Sequence, residues 1–357
     1  MEIDYICGRS THEYFGISKY SYEIFSRLNC IKFNTISYPH ISSNHLIDGA
    51  FKRIIYPLIV RGKIRSRNIK HITNQDLAFL LTFFKMNPVV TTCFDLIPWT
   101  YYNIRTPTWK MILNGLKKSD YIITISEFSK NEIIKTLDYP EERIFRIYCG
   151  VDTNKYFPRH NRNILSRYGV NKNDKIILYV GSEEPRKNLH VLLDSISKLK
   201  ESFESVKLIK TGNPGFGISR EVVEEKIRKY GLEEDVIFTG YISEDELPSL
   251  YNSADILAFP SFYEGFGLPP LEAMACGCPV ITSNTTSLPE VIGDSGLMID
   301  PHDADKFCEA MELLLIDDNL RKEMIVRGLN RVKSFSWEDS AIQTFRLYKK
   351  IRNSRAY

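Results

Sequence analysis

Long apolar runs, paired cysteines and a strong charge of either sign are all missing from these 357 residues. The longest apolar-looking stretches, Ile54–Val60 and Leu77–Phe84, fall far short of the roughly 20 residues that a membrane-spanning helix needs. The seven cysteines (Cys7, Cys30, Cys93, Cys149, Cys276, Cys278 and Cys308) are odd in number and contain no C-x-x-C, so neither a disulfide framework nor a zinc site is suggested. Glycine (19) and proline (16) are too sparse for a collagen-like or low-complexity chain. A net charge of +3 is too small to imply a nucleic-acid partner. The first residues, MEIDYICGRS, carry two acids and no long apolar core, so no signal peptide is expected. The expectation is a reduced, cytoplasmic protein, soluble or peripheral at the inner face of the cell membrane.

What is present is an ordinary globular mixture, 43% hydrophobic and 25% charged, which excludes wholesale disorder. At about 150 residues per domain the length suggests two domains. The charge is uneven. Residues 1–150 hold 20 Lys and Arg against 13 Asp and Glu, while residues 151–357 hold 27 against 31. A basic first half suits an anionic acceptor or a membrane surface; scatter over a solvated surface accounts for it equally well.

Apolar β-rich runs alternate with segments of helical period. EIDYIC, IKFNTI, IKHIT, PVVTTCF, YIITIS and RIFRIY read as strands in the first half, and KIILYVG, VKLIKTG, VIFTG, ILAFPS, CPVITS and GLMID in the second. Helices are expected over Gly16–Leu28, Leu189–Lys200, Arg220–Tyr230, Leu247–Ser253, Leu271–Cys276, Asp303–Leu315 and Ser340–Arg355. Strict β/α alternation predicts parallel sheets covered on both faces. Twelve strands divide more naturally into two doubly wound, Rossmann-like domains than into one sheet, with the joint in the polar stretch near 150–170. In such sheets ligands bind at the carboxyl ends of the strands.

Four segments occupy such ends. Gly181–Asn188 (GSEEPRKN) follows KIILYV and shares only part of the G-x-x-x-x-G-K-[ST] pattern, with Arg186 in place of the second glycine and Asn188 in place of Ser/Thr. What is left is a turn with two adjacent cations, Arg186 and Lys187, and Asn188 as the expected helix N-cap. Two cations beside a helix N-terminus suit a diphosphate, although a solvated basic turn reads the same way. Glu264–Glu272 (EGFGLPPLE) follows ILAFPS. Pro269 or Pro270 suits a first helical turn, leaving Gly265 and Gly267 as a bare loop open to close approach. Two glutamates flanking that loop are suited to accept from sugar hydroxyls. Gly16–Tyr20 heads the first helix, where an anion is favoured or where glycine simply marks a turn. Ser287–Glu290 either closes over a ligand or starts a helix.

Other features carry less. Gly212-x-x-Gly215-x-Gly217 is not G-x-G-x-x-G, which disfavours a nicotinamide dehydrogenase. Asp303-Ala-Asp305 has metal-ligand spacing, but it opens a helix, and capping explains it. His71 ends a strand and is either a cleft residue or a polar plug in the core. Phe51–Lys70 holds seven cations (Lys52, Arg53, Arg61, Lys63, Arg65, Arg67, Lys70), no acid and interleaved apolar residues. It is either a membrane-surface contact or a solvated face.

With Arg186-Lys187 and Glu264-x7-Glu272 together, the chain resembles the retaining glycosyltransferases of family 4 (group 1), which have the GT-B fold of two Rossmann-like domains facing across a cleft. The resemblance extends over most of the chain, through ITISEFSK, YCGVD, YVGSEEPRKN, FTGYISEDELPSLYNSAD, PSFYEGFGLPPLEAMACGCPVITS and FSWEDSA. The first half is most similar to mannosyltransferase-type members. The resemblance implies an acceptor-side domain over 1–160, completed by a returning helix at about 340–357, and a donor-binding domain over 161–339. It implies that Arg186 and Lys187 bind the donor diphosphate, that Glu272 holds the ribose and Glu264 a sugar hydroxyl. Backbone amides of Phe266, Gly267 and Leu268 would meet phosphate or sugar, Gly16 would approach the phosphate from the other domain, and Tyr241 and Ile242 would hold the base. Members of this type often read His-Asp where this chain has Phe94-Asp95, in the cleft; Phe94 forms no side-chain hydrogen bond.

The resemblance therefore implies a retaining, metal-independent hexosyltransferase without a cofactor. Its donor is a nucleoside-diphosphate sugar, GDP-mannose ahead of a UDP-sugar. Its acceptor is a glycan or lipid-linked hydroxyl in polysaccharide or glycoconjugate synthesis. No nucleic-acid partner is expected, and the basic run 51–70 leaves peripheral membrane contact as an expectation beside the solvated-face reading. A nucleotide-sugar epimerase of related fold and a catalytically weak scaffold are the alternatives.

Overall fold

The computed structural model describes residues 1–9, 17–38, 45–159, 163–215 and 220–354. Backbone contacts divide the chain into two compact units, Met1–Gly150 with Trp337–Tyr357, and Val151–Ser336.

In the first unit the strands are β1 (Glu2–Arg9), β2 (Lys32–Tyr38), β3 (Ile69–Ile72), β4 (Val89–Thr92), β5 (Tyr121–Thr124) and β6 (Ile144–Arg146). They form one parallel sheet in the order β2-β1-β3-β4-β5-β6. In the second they are β7 (Lys175–Val180), β8 (Val206–Thr211), β9 (Val236–Gly240), β10 (Ile256–Phe259), β11 (Val280–Ser283) and β12 (Leu297–Ile299). Their order is β12-β11-β10-β7-β8-β9, again parallel. Each of the twelve apolar runs in the sequence is one of these strands. The central ones, β3, β4, β10 and β11, are buried at every residue because helices cover both sheet faces. Each unit has its own core. Ile6, Ile72, Val89, Leu116 and Ile122 meet in the first, and Ile177, Leu192, Leu208, Ile256 and Met311 in the second.

Each sheet reverses its winding once, between β1 and β3 in the first unit and between β7 and β10 in the second. The crevice outside the carboxyl ends of strands at such a reversal is where open α/β sheets bind ligands.

The helix Trp337–Asn353 packs within the first unit. Trp337 is buried 5.8 Å from the Tyr20 ring, and the Ser340 hydroxyl donates to the Tyr148 carbonyl at 2.7 Å. The buried Tyr348 hydroxyl meets His71 Nδ1, and His71 Nε2 lies 2.8 Å from the Thr92 hydroxyl. His71 is therefore corrected from a cleft position to a core one: with 2% exposure and both ring nitrogens engaged, it is the polar plug. Burial pushes its pKa down to about 3, so the ring is neutral.

The basic stretch beyond residue 50 also differs from its reading. His45–Lys63 is a 19-residue helix. Lys70 is not on the surface at all, since its ammonium is buried against the carbonyls of Ser66, Asn68 and Asn87. Among the described residues no helix is long and apolar enough to cross a membrane.

Candidate functional site

The second unit brings Arg186, Lys187 and Glu264 to its winding reversal. The chain leaves β7 into a short 3-10 turn, Pro185–Lys187, and leaves the adjacent β10 into the loop that carries Glu264. The turn is held by its neighbours: the Phe262 N–H donates to the Arg186 carbonyl at 2.7 Å, and the Tyr179 hydroxyl donates to the Ser182 carbonyl at 2.7 Å. Asn188 stands at the head of the helix Leu189–Ser202 but does not cap it with its side chain. Its φ is +55°, and its amide instead donates to the carbonyls of Pro260 at 3.0 Å and Pro301 at 2.7 Å. The expected cap is thus corrected to a tie between three loops at the carboxyl edge of the sheet.

Glu264 joins the two cations. Its Oε1 accepts from the Lys187 ammonium at 2.6 Å and its Oε2 from the Arg186 guanidinium at 3.3 Å. Arg186 also donates to Glu184 at 2.9 Å and to the Tyr263 carbonyl at 3.2 Å. Burial works against the charge on Glu264, but the neighbouring Lys187 and Arg186 charges outweigh it and hold the carboxyl below the usual range. The loop is clamped from the next strand connection: the Glu264 N–H donates to the Thr286 hydroxyl at 3.1 Å, and the Ser287 hydroxyl serves the carbonyls of Glu264 and Phe266. Ser287 therefore braces the loop, and a five-residue helix, Leu288–Ile292, follows it.

Gly267 ends the loop with φ +115°, directly before the helix Leu268–Ala275, which carries its prolines in the first turn as the sequence suggests. That conformation favours glycine, and a Cβ there would sit 2.8 Å from a terminal methyl of Leu288, which would have to shift. Phe266 is buried, with its ring 5.8 Å from Phe335. Glu272 lies inside the helix and is 5% exposed; its Oε2 accepts from the buried Tyr251 hydroxyl at 3.0 Å. Tyr241 and Ile242 follow β9, the edge strand three positions from β10 in the sheet, with Tyr241 exposed.

A charge cluster that sequence reading did not single out lies beneath this turn. Glu183 is buried and pairs with the Lys210 ammonium at 2.8 Å, both side chains being fully enclosed. Arg220 grips the same carboxylate through two nitrogens and stacks on Phe238 at 3.8 Å. Lys210 also donates to the Gly212 carbonyl, and the Glu183 N–H donates to the Pro214 carbonyl at 2.7 Å. The loops after β7 and β8 are thereby locked together. Lys210, the second lysine of the strand run VKLIKTG, is the signal that could have exposed it.

In the first unit, Gly16 lies outside the described residues. Phe94 is buried, its ring 5.2 Å from Tyr20 in an edge contact and its N–H on the Gln75 side-chain oxygen at 3.2 Å. Asp95 accepts from the Ile97 N–H at 3.1 Å in a local turn. At the reversal between β1 and β3 a cavity of about 660 Å³ is lined by rings and hydrogen-bonding groups, among them Tyr5, Tyr22, Phe25, Ser37, Asn74 and Asp76. Asp303 caps its helix by accepting from the Lys306 N–H, and Asp305 pairs with Lys198, as capping and surface charge predict.

Known proteins share this architecture. The family model for glycosyl transferases group 1 matches residues 161–331, and that for glycosyltransferase family 4 matches residues 34–155. The chain belongs to the family-4, group 1 glycosyltransferases. Within that family it is 39% identical over 243 residues to the O-antigen chain mannosyltransferase B of Escherichia coli, covering 67% of this chain and 63% of that one. It is 33% identical over 267 residues to the serotype-specific mannosyltransferase WbdA of Escherichia coli, covering 71% of this chain and 32% of the relative. The matched segment thus spans under two thirds of the first relative and about a third of the second. Among solved structures, Anabaena HepE in complex with UDP and glucose superposes with a TM-score of 0.80 at 17% identity, over 97% of this chain and 99% of that one. That likeness shows the fold, two Rossmann-like units of the GT-B class.

Proposed function

We propose that this protein is a retaining hexosyltransferase that moves mannose from GDP-mannose to a hydroxyl of a glycan or lipid-linked acceptor, in the synthesis of a cell-surface polysaccharide or glycoconjugate. The observation that carries the reading is the convergence of Arg186, Lys187 and Glu264 at the winding reversal of the second unit. The names of the two mannosyltransferase relatives support the sugar.

Breaking a glycosyl–phosphate bond needs help chiefly at the leaving group, where negative charge grows. Arg186 and Lys187 are held in place before that charge appears, the arrangement that makes electrostatic stabilisation effective. The acceptor oxygen attacks the anomeric carbon from the face that the diphosphate leaves. As the new C–O bond forms, the old one breaks, the diphosphate keeps its electron pair, and a phosphate oxygen takes the acceptor proton. Glu264 orients the two cations and accepts from a sugar hydroxyl, while Glu272, steadied by Tyr251, holds the ribose. Tyr241 and Ile242 flank the base, and the amides of Phe266, Gly267 and Leu268 meet phosphate or sugar. The first unit supplies the acceptor surface. Its ring-and-hydroxyl cavity suits a glycan, since aromatic faces cover sugar C–H groups while polar groups take the hydroxyls.

The test is a thermal-shift panel of GDP, UDP, ADP and their sugar conjugates, followed by mannose transfer to an acceptor glycan, on the native protein and on Arg186→Ala/Lys187→Ala. A ligand at one hundred times its dissociation constant raises native stability by about 2.7 kcal/mol. Stabilisation by GDP-mannose, absent in the double variant, with transfer lost, is the expected result. Native-like turnover by the double variant would overturn the reading, and stabilisation by a UDP-sugar alone would replace the donor.

A further inference from the structure

The turn Pro185–Lys187 is only three residues long, so the chain that leads into it decides where Arg186 and Lys187 stand. Glu183 anchors that lead-in. Its side chain and that of Lys210 are fully enclosed, 2.8 Å apart. Each hydrogen of the Lys210 ammonium has an acceptor: Glu183, the Gly212 carbonyl at 2.5 Å and the Asn213 carbonyl at 3.4 Å. Arg220 opens the helix Arg220–Lys229 and engages the same carboxylate, with its Nε at 2.9 Å and its side chain 27% exposed. Its guanidinium also rests on the Phe238 ring of β9. One carboxylate thus ties together the connections after β7 and β8, with β9 beside them. The backbones are equally close. A Cβ on Gly212 would stand 2.7 Å from the Gly181 carbonyl oxygen, and one on Gly215 would stand 2.9 Å from the Ser182 Cβ. An enclosed ion pair adds little net stability over apolar residues of similar size. What this one imposes is placement.

We infer that Lys210 and Arg220 are positioning residues of the transfer reaction, acting through Glu183 to hold Arg186 and Lys187 where the leaving diphosphate gathers charge. The inference rests on the transferase reading and adds to it two residues that work without touching the reacting groups. Placement matters steeply here, since a shift of about 1 Å can cost about a hundredfold in rate. Glu264 holds the charged ends of the two cations from the β10 side. Glu183 holds the backbone that carries them, so losing either support moves the same charges. Arg220 acts through its fork, because two of its nitrogens meet the carboxylate. A lysine in its place keeps the charge and loses that geometry.

The experiment is calorimetric titration of the full chain with GDP and with UDP, joined to amide hydrogen exchange. Four proteins are compared: native, Lys210→Met, Arg220→Met and Arg220→Lys. Lys210→Met leaves Arg220 on Glu183, and Arg220→Met leaves the enclosed pair intact, so neither strands a buried charge. A variant that is merely part-unfolded binds with lower stoichiometry and an unchanged dissociation constant. The expected result is full stoichiometry in each variant. Both methionine variants bind the nucleotide about tenfold more weakly, the worth of one charge-assisted hydrogen bond to the diphosphate. Exchange quickens across residues 181–188, and Arg220→Lys recovers part of the affinity. Native-like dissociation constants in both methionine variants overturn the inference alone, as does a loss seen only in stoichiometry. Failure of the native protein to bind either nucleotide overturns the transferase reading, and the inference with it.

Discussion

The Lys187 ammonium lies 2.6 Å from Glu264 Oε1, and the two side chains come from loops that follow adjacent strands of one sheet. One carboxylate thus aligns both cations of the turn, and removing it takes the carboxylate partner from the enclosed Lys187 ammonium while Arg186 keeps Glu184. Glu264→Gln is expected to destabilise the protein by about 3–5 kcal/mol, the cost of breaking a buried pair from one side. Lys187→Met in the same protein restores part of that loss, which denaturant unfolding of the single and double variants measures. The folded carboxyl titrates below its ordinary value of 4.5. Its contribution is therefore complete above that pH and fades as the pH falls below it.

Asn188 separates two local roles. If it served as a helix cap, Asn188→Asp would be neutral or better. Because its amide donates to the Pro260 and Pro301 carbonyls, an aspartate cannot replace it. Asn188→Asp and Asn188→Ala are both expected to cost about 1–3 kcal/mol, read as a shift of the unfolding midpoint.

Gly267→Ala combines a positive φ with a close contact to Leu288. The loss is expected at about 1–3 kcal/mol. Adding Leu288→Ala relieves the contact but leaves the backbone strain, so no more than part of the melting temperature should return.

The Glu183–Lys210 pair is enclosed on both sides. Lys210→Met leaves Arg220 as the remaining partner of Glu183, while Glu183→Gln strands a buried ammonium. The second change is expected to be the more damaging, by at least about 1 kcal/mol. Equal midpoints in urea for the two variants would show that the lysine is not held by this carboxylate.

His71 makes stability acid-sensitive. Its folded pKa of about 3 lies below the ordinary 6.5. Between those values the unfolded chain takes up a proton that the folded one refuses, so stability falls with falling pH, by up to about 1.4 kcal/mol per pH unit from this group. His71→Gln should flatten the melting-temperature profile across that window.

The strands were legible because each doubly wound unit buries its strands on both faces, so runs such as VVTT and ILAF need no alternation. The helix His45–Lys63 was not legible as a helix. Apolar residues on both of its faces erase the single stripe that a 3.6-residue period would show. Asp318–Arg331 was missed for the opposite reason, its shortage of apolar residues. Arg186, Lys187 and Glu264 were legible as candidates because glycine, proline and paired charges mark loops after strands. Their mutual ion pairs were not, since partners on separate loops leave no spacing signal. The acceptors of Asn188, the Tyr348 partner of His71 and the Glu183 partner of Lys210 were hidden in the same way: each bond joins segments far apart in the chain.

The return of Trp337–Asn353 to the first unit has a consequence for the order of synthesis. The first sheet emerges from the ribosome before any residue of the second, yet Tyr348, which closes over His71, is made only after the whole of Val151–Ser336. Until then the nascent first unit carries an uncovered apolar strip beside β3. The second unit, whose segment is continuous, can complete its core first, so the last unit to mature is the one that was begun first.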